Sequence, residues 1–181
     1  MGPGRWTATL TVAANLMAGV AAAGDGAQKA TVAIRLDDLA QTPVRNLERS
    51  KAELERIFQA AGIAVEWADS LSMPGPGRVM LILVNTTQPA TGDAGDIVGE
   101  AALQVGRAYV YCNRLEAMTR HSPADAPVIL GRVMAHEVGH LLLPPNSHSR
   151  VGIMRPYVDF SQASFHSFTR DQVQAMHRFL R

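Results

Sequence analysis

His136-Glu137-Val138-Gly139-His140 is the stretch whose reading decides the fold. Around it, Val128, Ile129, Leu130, Val133, Met134, Val138, Leu141 and Leu142 leave no continuous polar face, so the spacing predicts a helix running through the core. Asp125 or Ser122 can cap its start. In a helix, residues four apart stand on one face, one turn apart. His136 and His140 therefore present their imidazoles to one point, while Glu137 is displaced about 100° around the axis. Two histidines and a glutamate on an apolar helix cost several kcal/mol unless they have partners. A metal ion is the partner that suits them: two neutral nitrogen ligands, with a carboxylate in reach of the water that the metal activates, is the arrangement a zinc hydrolase needs.

Such a site takes a third protein ligand and keeps a fourth position open. No glutamate follows Glu137, which excludes completion of the site by a downstream Glu. His148, His166, His177, Asp159 and Asp171 remain, and His148 is the best placed. Pro144 and Pro145 stop the helix, Asn146 can adopt the left-handed conformation that reverses the chain, and His148 can then fold back to the metal.

With these residues in hand, the sequence resembles the metzincin metallopeptidases, with a matrixin flavour. In that clan the helix His-Glu-x-x-His continues as x-x-Gly-x-x-His, and a methionine-containing turn follows beneath the zinc. His136, Glu137, Gly139 and His140 match, Ser149 follows His148 as a serine often follows the third ligand in matrixins, and Gly152-Ile153-Met154-Arg155-Pro156 is similar to the Met-turn. Two positions depart. The family glycine falls on Leu143 and the family histidine on Asn146, so the third histidine arrives two residues late. This reads as a two-residue insertion that replaces the glycine turn by Pro144-Pro145-Asn146. The resemblance implies Zn2+ held by His136, His140 and His148, Glu137 as general base and acid, Met154 in the Met-turn, and a peptide or protein substrate. It also implies a cleft between an upper subdomain (about 29–143) and a lower one (about 144–181). An edge strand at 97–105 would hold an extended peptide, and the segment 155–160, with Arg155 and Tyr157, would wall the pocket next to the scissile bond.

Upstream, residues 31–36 alternate as a half-buried strand, and Thr42-Pro43 opens a helix. Leu47, Leu54, Ile57, Phe58 and Ala61 recur there at helical spacing, Arg49/Glu53 and Lys51/Glu55 stand four apart on the wet side, and Gly62 is placed to cap the end. Residues 63–67 read as a short strand, and 79–84, uniformly apolar, as a central strand buried on both faces. Residues 97–105 and 107–112 read as two more strands, the former at an edge, with Cys112 a small buried thiol. Near the end, Thr169 and Gln172 form a capping box for a last helix whose inner face holds Val173, Met176 and Leu180; His177 packs, and His121 and His166 are loop residues. The expected class is α+β and metzincin-like: a twisted mixed sheet packed on two helices, with a small C-terminal subdomain ending in a helix.

Composition fits one globular domain: 181 residues, 47% hydrophobic and 18% charged. The net charge of +1 excludes the strongly basic footprint of a nucleic-acid partner. Cys112 is the only cysteine, so neither an intramolecular disulfide nor a cysteine-based metal ribbon is available. Residues 1–23 read as a signal peptide: Arg5, an apolar run, then Ala21-Ala22-Ala23 before Gly24. That run is broken by threonines and too short to span a bilayer, so a secreted or periplasmic protein without a membrane span is expected for 24–181. Two other functions stay open: a zinc amidase acting on an envelope peptide, and a non-catalytic binding module stabilised by zinc.

Overall fold

The computed structural model describes residues 30–70, 75–87, 97–120, 125–157 and 166–181. The expected signal peptide at 1–23, the alternative cap Ser122, His121 and the candidate ligand Asp159 lie outside the described residues. Among the described residues five strands, β1 (Thr31–Asp38), β2 (Ala64–Trp67), β3 (Arg78–Val84), β4 (Gly99–Ala102) and β5 (Arg107–Tyr111), form one mixed sheet in the order β2-β1-β3-β5-β4. The first three pairings are parallel, and β4 runs antiparallel to β5 at one edge. β3 sits in the middle, where Val79, Leu81, Ile82 and Leu83 are buried; a strand covered on both faces carries such a run without alternation.

Among the described residues four helices accompany the sheet: α1 (Val44–Ala60), α2 (Cys112–Thr119), α3 (Ala126–Leu142) and α4 (Arg170–Phe179). Leu54, Ile57 and Phe58 of α1 and Ile129, Val133, Met134 and Val138 of α3 share one core with Val32, Ile34, Leu81, Leu83, Ala108 and Val110 of the sheet. Gly62 ends the α1 turn at φ +73°, the left-handed conformation that favours glycine.

The two long helices cross closely at Gly131. A methyl group there would lie 2.4 Å from the Ser50 carbonyl oxygen and 2.8 Å from Glu53 Cβ. Buried Ser50 adds a hydroxyl 2.8 Å from the Pro127 carbonyl oxygen across the same crossing. Gly131→Ala should gain about 1 kcal/mol of helix propensity and lose more to overpacking against backbone. The expected net loss is about 2 kcal/mol, a fall of roughly 4–8 °C in melting temperature. An unchanged thermal melt would mean that the helices are not held this close.

Several details differ from the sequence reading. The edge strand is shorter than 97–105: β4 covers Gly99–Ala102, and Leu103–Val105 is a 3-10 turn closed by Gly106 at φ +62°. Cys112 is the first residue of α2, not part of a strand, and is only partly buried; burial pushes its thiol up to about 11, with the Asp38 carboxylate adding. Asp125 stands at the N-cap of α3, but its side chain bonds Arg49 instead of the helix backbone, and Pro127 removes one N–H that a cap would have served. The charge pairs on α1 are redirected too: Glu53 pairs with Arg56 and Arg132, Lys51 with Glu48, and Glu55 accepts from Trp67 Nε1. Glu48 and Arg56 are i,i+3 neighbours of Lys51 and Glu53 on α1, while Asp125, Arg132 and Trp67 are tertiary partners; together they displace exposed i,i+4 pairs, which contribute only about 0.3–0.5 kcal/mol each.

Candidate metal centre

α3 is the platform of the site. It carries His136 and His140 on one face and ends at Leu142, where Leu143 turns extended (φ −111°, ψ 158°). Pro144 and Pro145 cannot prolong the helix, and Asn146, at φ +61°, reverses the chain. That reversal brings His148 back to the helix: His140 Nε2 lies 3.0 Å from His136 Nε2 and 3.1 Å from His148 Nε2. The three form a cluster able to hold a metal ion, with His136 and His140 half-buried and His148 exposed. Four-coordinate zinc with Zn–N bonds of about 2.0–2.1 Å needs ligand nitrogens roughly 3.3 Å apart, a few tenths of an ångström beyond this spacing.

Proton bookkeeping supports a cation at that point. His136 Nδ1 lies 2.8 Å from the Ile153 carbonyl oxygen and donates to it, which leaves a lone pair on Nε2. His140 Nε2 carries either a proton or a lone pair, so it cannot satisfy both neighbouring nitrogens. A metal ion accepts all three lone pairs at once. Burial lowers the pKa of His136 and pushes His140 down to about 4, with the neighbouring imidazoles adding, so both are neutral as ligands must be. Ser147 Oγ, 3.3 Å from His140 Nδ1, is the outer partner of the second imidazole.

The loop that carries His148 is fastened on both sides. Ser149 N donates to the Met154 carbonyl (2.9 Å) and Ile153 N to the Ser167 carbonyl (2.9 Å). Met154 is fully buried beneath α3, where a methyl group on Gly139 would lie 2.7 Å from its sulfur and 2.9 Å from Phe168 Cε1. Thr169 and Gln172 form the expected capping box of α4. Gln172 does more than cap: its Nε2 donates to the Ser147 carbonyl and to Ser149 Oγ, both at 3.1 Å, so one amide holds the residues on either side of His148. His177 is half-buried and bonds the Ala61 carbonyl (2.9 Å), and Asp171 is exposed in the first turn of α4.

Glu137 points toward the edge strand. A methyl group on Gly99 of β4 would stand 2.4 Å from its Oε1, so the carboxyl fills the space that a side chain would need. With only 6% of the residue exposed, burial pushes this carboxyl up to about 8, and the Glu100 carboxylate adds. A neighbouring dication reverses that balance and favours the carboxylate.

A cleft of about 430 Å³ opens over the cluster, lined by residues of β4, α3 and the segment 152–157. Arg155 and Tyr157 both line it, as does His166, a loop residue and alternative third ligand in the sequence reading that stands outside the three-histidine cluster. Three residues of the site had no sequence signal of their own: Gly99, Gln172 in its tie to the His148 loop, and Arg132, one turn before His136 on the cleft side of α3.

No protein-family model matches the sequence, and no curated protein sequence matches it. Solved structures do. Archaemetzincin from Methanopyrus kandleri is similar at a TM-score of 0.53 and 16% identity, covering 84% of this chain and 97% of its own. Archaemetzincin from Archaeoglobus fulgidus is similar at 0.50 and 21% identity, covering 80% and 99%. The fold is similar to that of the archaemetzincins. A zinc-dependent peptidase from Methanocorpusculum labreanum also matches, at a TM-score of 0.47 and 15% identity, over 83% of this chain and 100% of its own; the likeness of fold rests on the other two.

Proposed function

We propose that this chain is a zinc metallopeptidase of metzincin type, with His136, His140 and His148 as ligands and Glu137 as general base and acid. One observation carries the reading: three imidazole nitrogens converge at the bottom of an open cleft with a buried carboxyl beside them. Among the described residues the cluster offers three ligands and no fourth, which favours an open site over a closed structural one. Zinc, when bound, supplies the Lewis acid that polarises a scissile carbonyl and makes water nucleophilic at neutral pH. The carboxylate of Glu137 takes the proton of the attacking water and passes it to the leaving amine. Met154, packed under Gly139, serves as the Met-turn, and Arg155 and Tyr157 serve as substrate contacts. The segment beyond Leu143 acts as the lower subdomain, and peptide bonds within a chain are the intended target.

Zinc content and hydrolysis of denatured protein test this together. The purified chain should hold about one zinc, cleave unfolded protein, and stop on chelation. Removing the metal should lower the melting temperature by roughly 10 °C, since binding at a thousandfold over Kd stabilises by about 4 kcal/mol. Activity that survives complete removal of metal would overturn the proposal.

A further inference from the structure

We propose that Arg132 makes the cleft select a carboxylate beside the scissile bond, supplied by an acidic side chain or by a chain terminus; the inference rests on the peptidase reading above and names its substrate class.

Arg132 stands on α3 four residues before His136, about 6 Å along the axis, and lines the same cleft. An extended peptide advances about 3.3 Å per residue, so a side chain flanking the bond at the metal reaches this point. The Arg132 side chain is 18% exposed, and its Nε lies 3.2 Å from Glu53 Oε1. Glu53 is already engaged on both oxygens by Arg56, through Nε at 2.7 Å and Nη2 at 2.9 Å. Two guanidinium groups thus share one carboxylate, and one positive charge is left over. Among the described residues the terminal nitrogens of Arg132 have no hydrogen-bond partner. A planar guanidinium with free donors, mostly shielded from water, is the group best fitted to a carboxylate. The acidic groups of the lining, Glu100 and Glu137, belong to β4 and to the metal centre.

Acetylated, amidated hexa-alanine peptides carrying Glu or Gln at a central position, and plain hexa-alanine with a free or amidated C-terminus, are titrated into the zinc-loaded Glu137→Gln protein. The Glu peptide, or the free-acid peptide, should bind about tenfold or more tightly than its neutral twin. Preference in the first pair assigns the subsite to a side chain, and preference in the second to a chain terminus. Adding Arg132→Met should bring the ratio to about one, and Arg132→Lys should keep part of it. Equal affinity within both pairs, or a preference that survives Arg132→Met, overturns the proposal. The comparison in the Arg132 parent needs no second substitution, so a poorly folded Arg132→Met cannot shield it. Digestion of denatured protein by the wild type, read by mass spectrometry, separates this proposal from the one it rests on. Cleavage without acidic or terminal preference ends the Arg132 assignment and leaves the peptidase standing. Preferential binding without any cleavage ends the peptidase and leaves the carboxylate subsite.

Discussion

Glu137→Gln should bind zinc as the wild type does and hydrolyse peptide at least about a thousandfold more slowly, the scale expected when a general acid and base is lost. The amide keeps the shape of the side chain but can neither take nor return a proton, and the three imidazoles are untouched. A second effect runs the other way. In the metal-free fold burial raises this carboxyl to about 8 from an unfolded value of 4.5. Between those values the folded state holds a proton that the unfolded state has released, so stability falls as pH rises across the interval, by about 3 kcal/mol at pH 7. Glutamine stays neutral in both states and escapes the loss. Metal-free Glu137→Gln should therefore melt several degrees above the metal-free wild type at pH 7.5, with the gap closing toward pH 4.5. The histidines contribute equally to both proteins and cancel in the difference. Turnover by the variant would remove Glu137 from the reaction, and a pH-independent gap in melting temperature would mean that the carboxyl is not buried as described.

The second large effect is expected at the shifted ligand. His148→Ala leaves two imidazoles and should weaken zinc binding by at least about a hundredfold, more than the loss of an outer-shell partner does. Asn146→Ala should keep the metal. Its cost is the left-handed backbone at φ +61°, about 1 kcal/mol for alanine, and Asn146→Gly should recover it. Zinc titration of the three variants separates the roles. Normal zinc affinity in His148→Ala, or its loss in Asn146→Ala, would return the third ligand to the family spacing.

The parts of the site that the sequence made legible are those set by local geometry. His136 and His140 follow from the helical period, and the return of His148 follows from two prolines and an asparagine able to reverse a chain. The sheet's central strand was legible in the same way, from an unbroken apolar run, and β4 lies at the edge expected for residues 97–105. What was not legible depends on partners far along the chain. Gly99 is small because Glu137 fills its side-chain space, 38 residues on. Glu53 answers to Arg132, not to Arg49 four residues back, because the helix crossing at Gly131 brings the former close. α2 was hidden because Tyr109-Val110-Tyr111 reads as a strand and no capping side chain marks the helix that follows.

The amide of Gln172 gives the last helix a task that its sequence does not advertise. With Nε2 tied to Ser147 and Ser149 and Oε1 to the Thr169 amide, each end of that side chain is used. α4 thereby acts as a splint: it contributes no ligand, yet it fixes the span of backbone from which His148 hangs. How tightly the three imidazoles would hold a metal is then partly decided by a residue 24 positions beyond the third of them that is no part of their cluster. A chain ending before Gln172 would retain all three ligands and lose the brace that keeps the third in register with the other two.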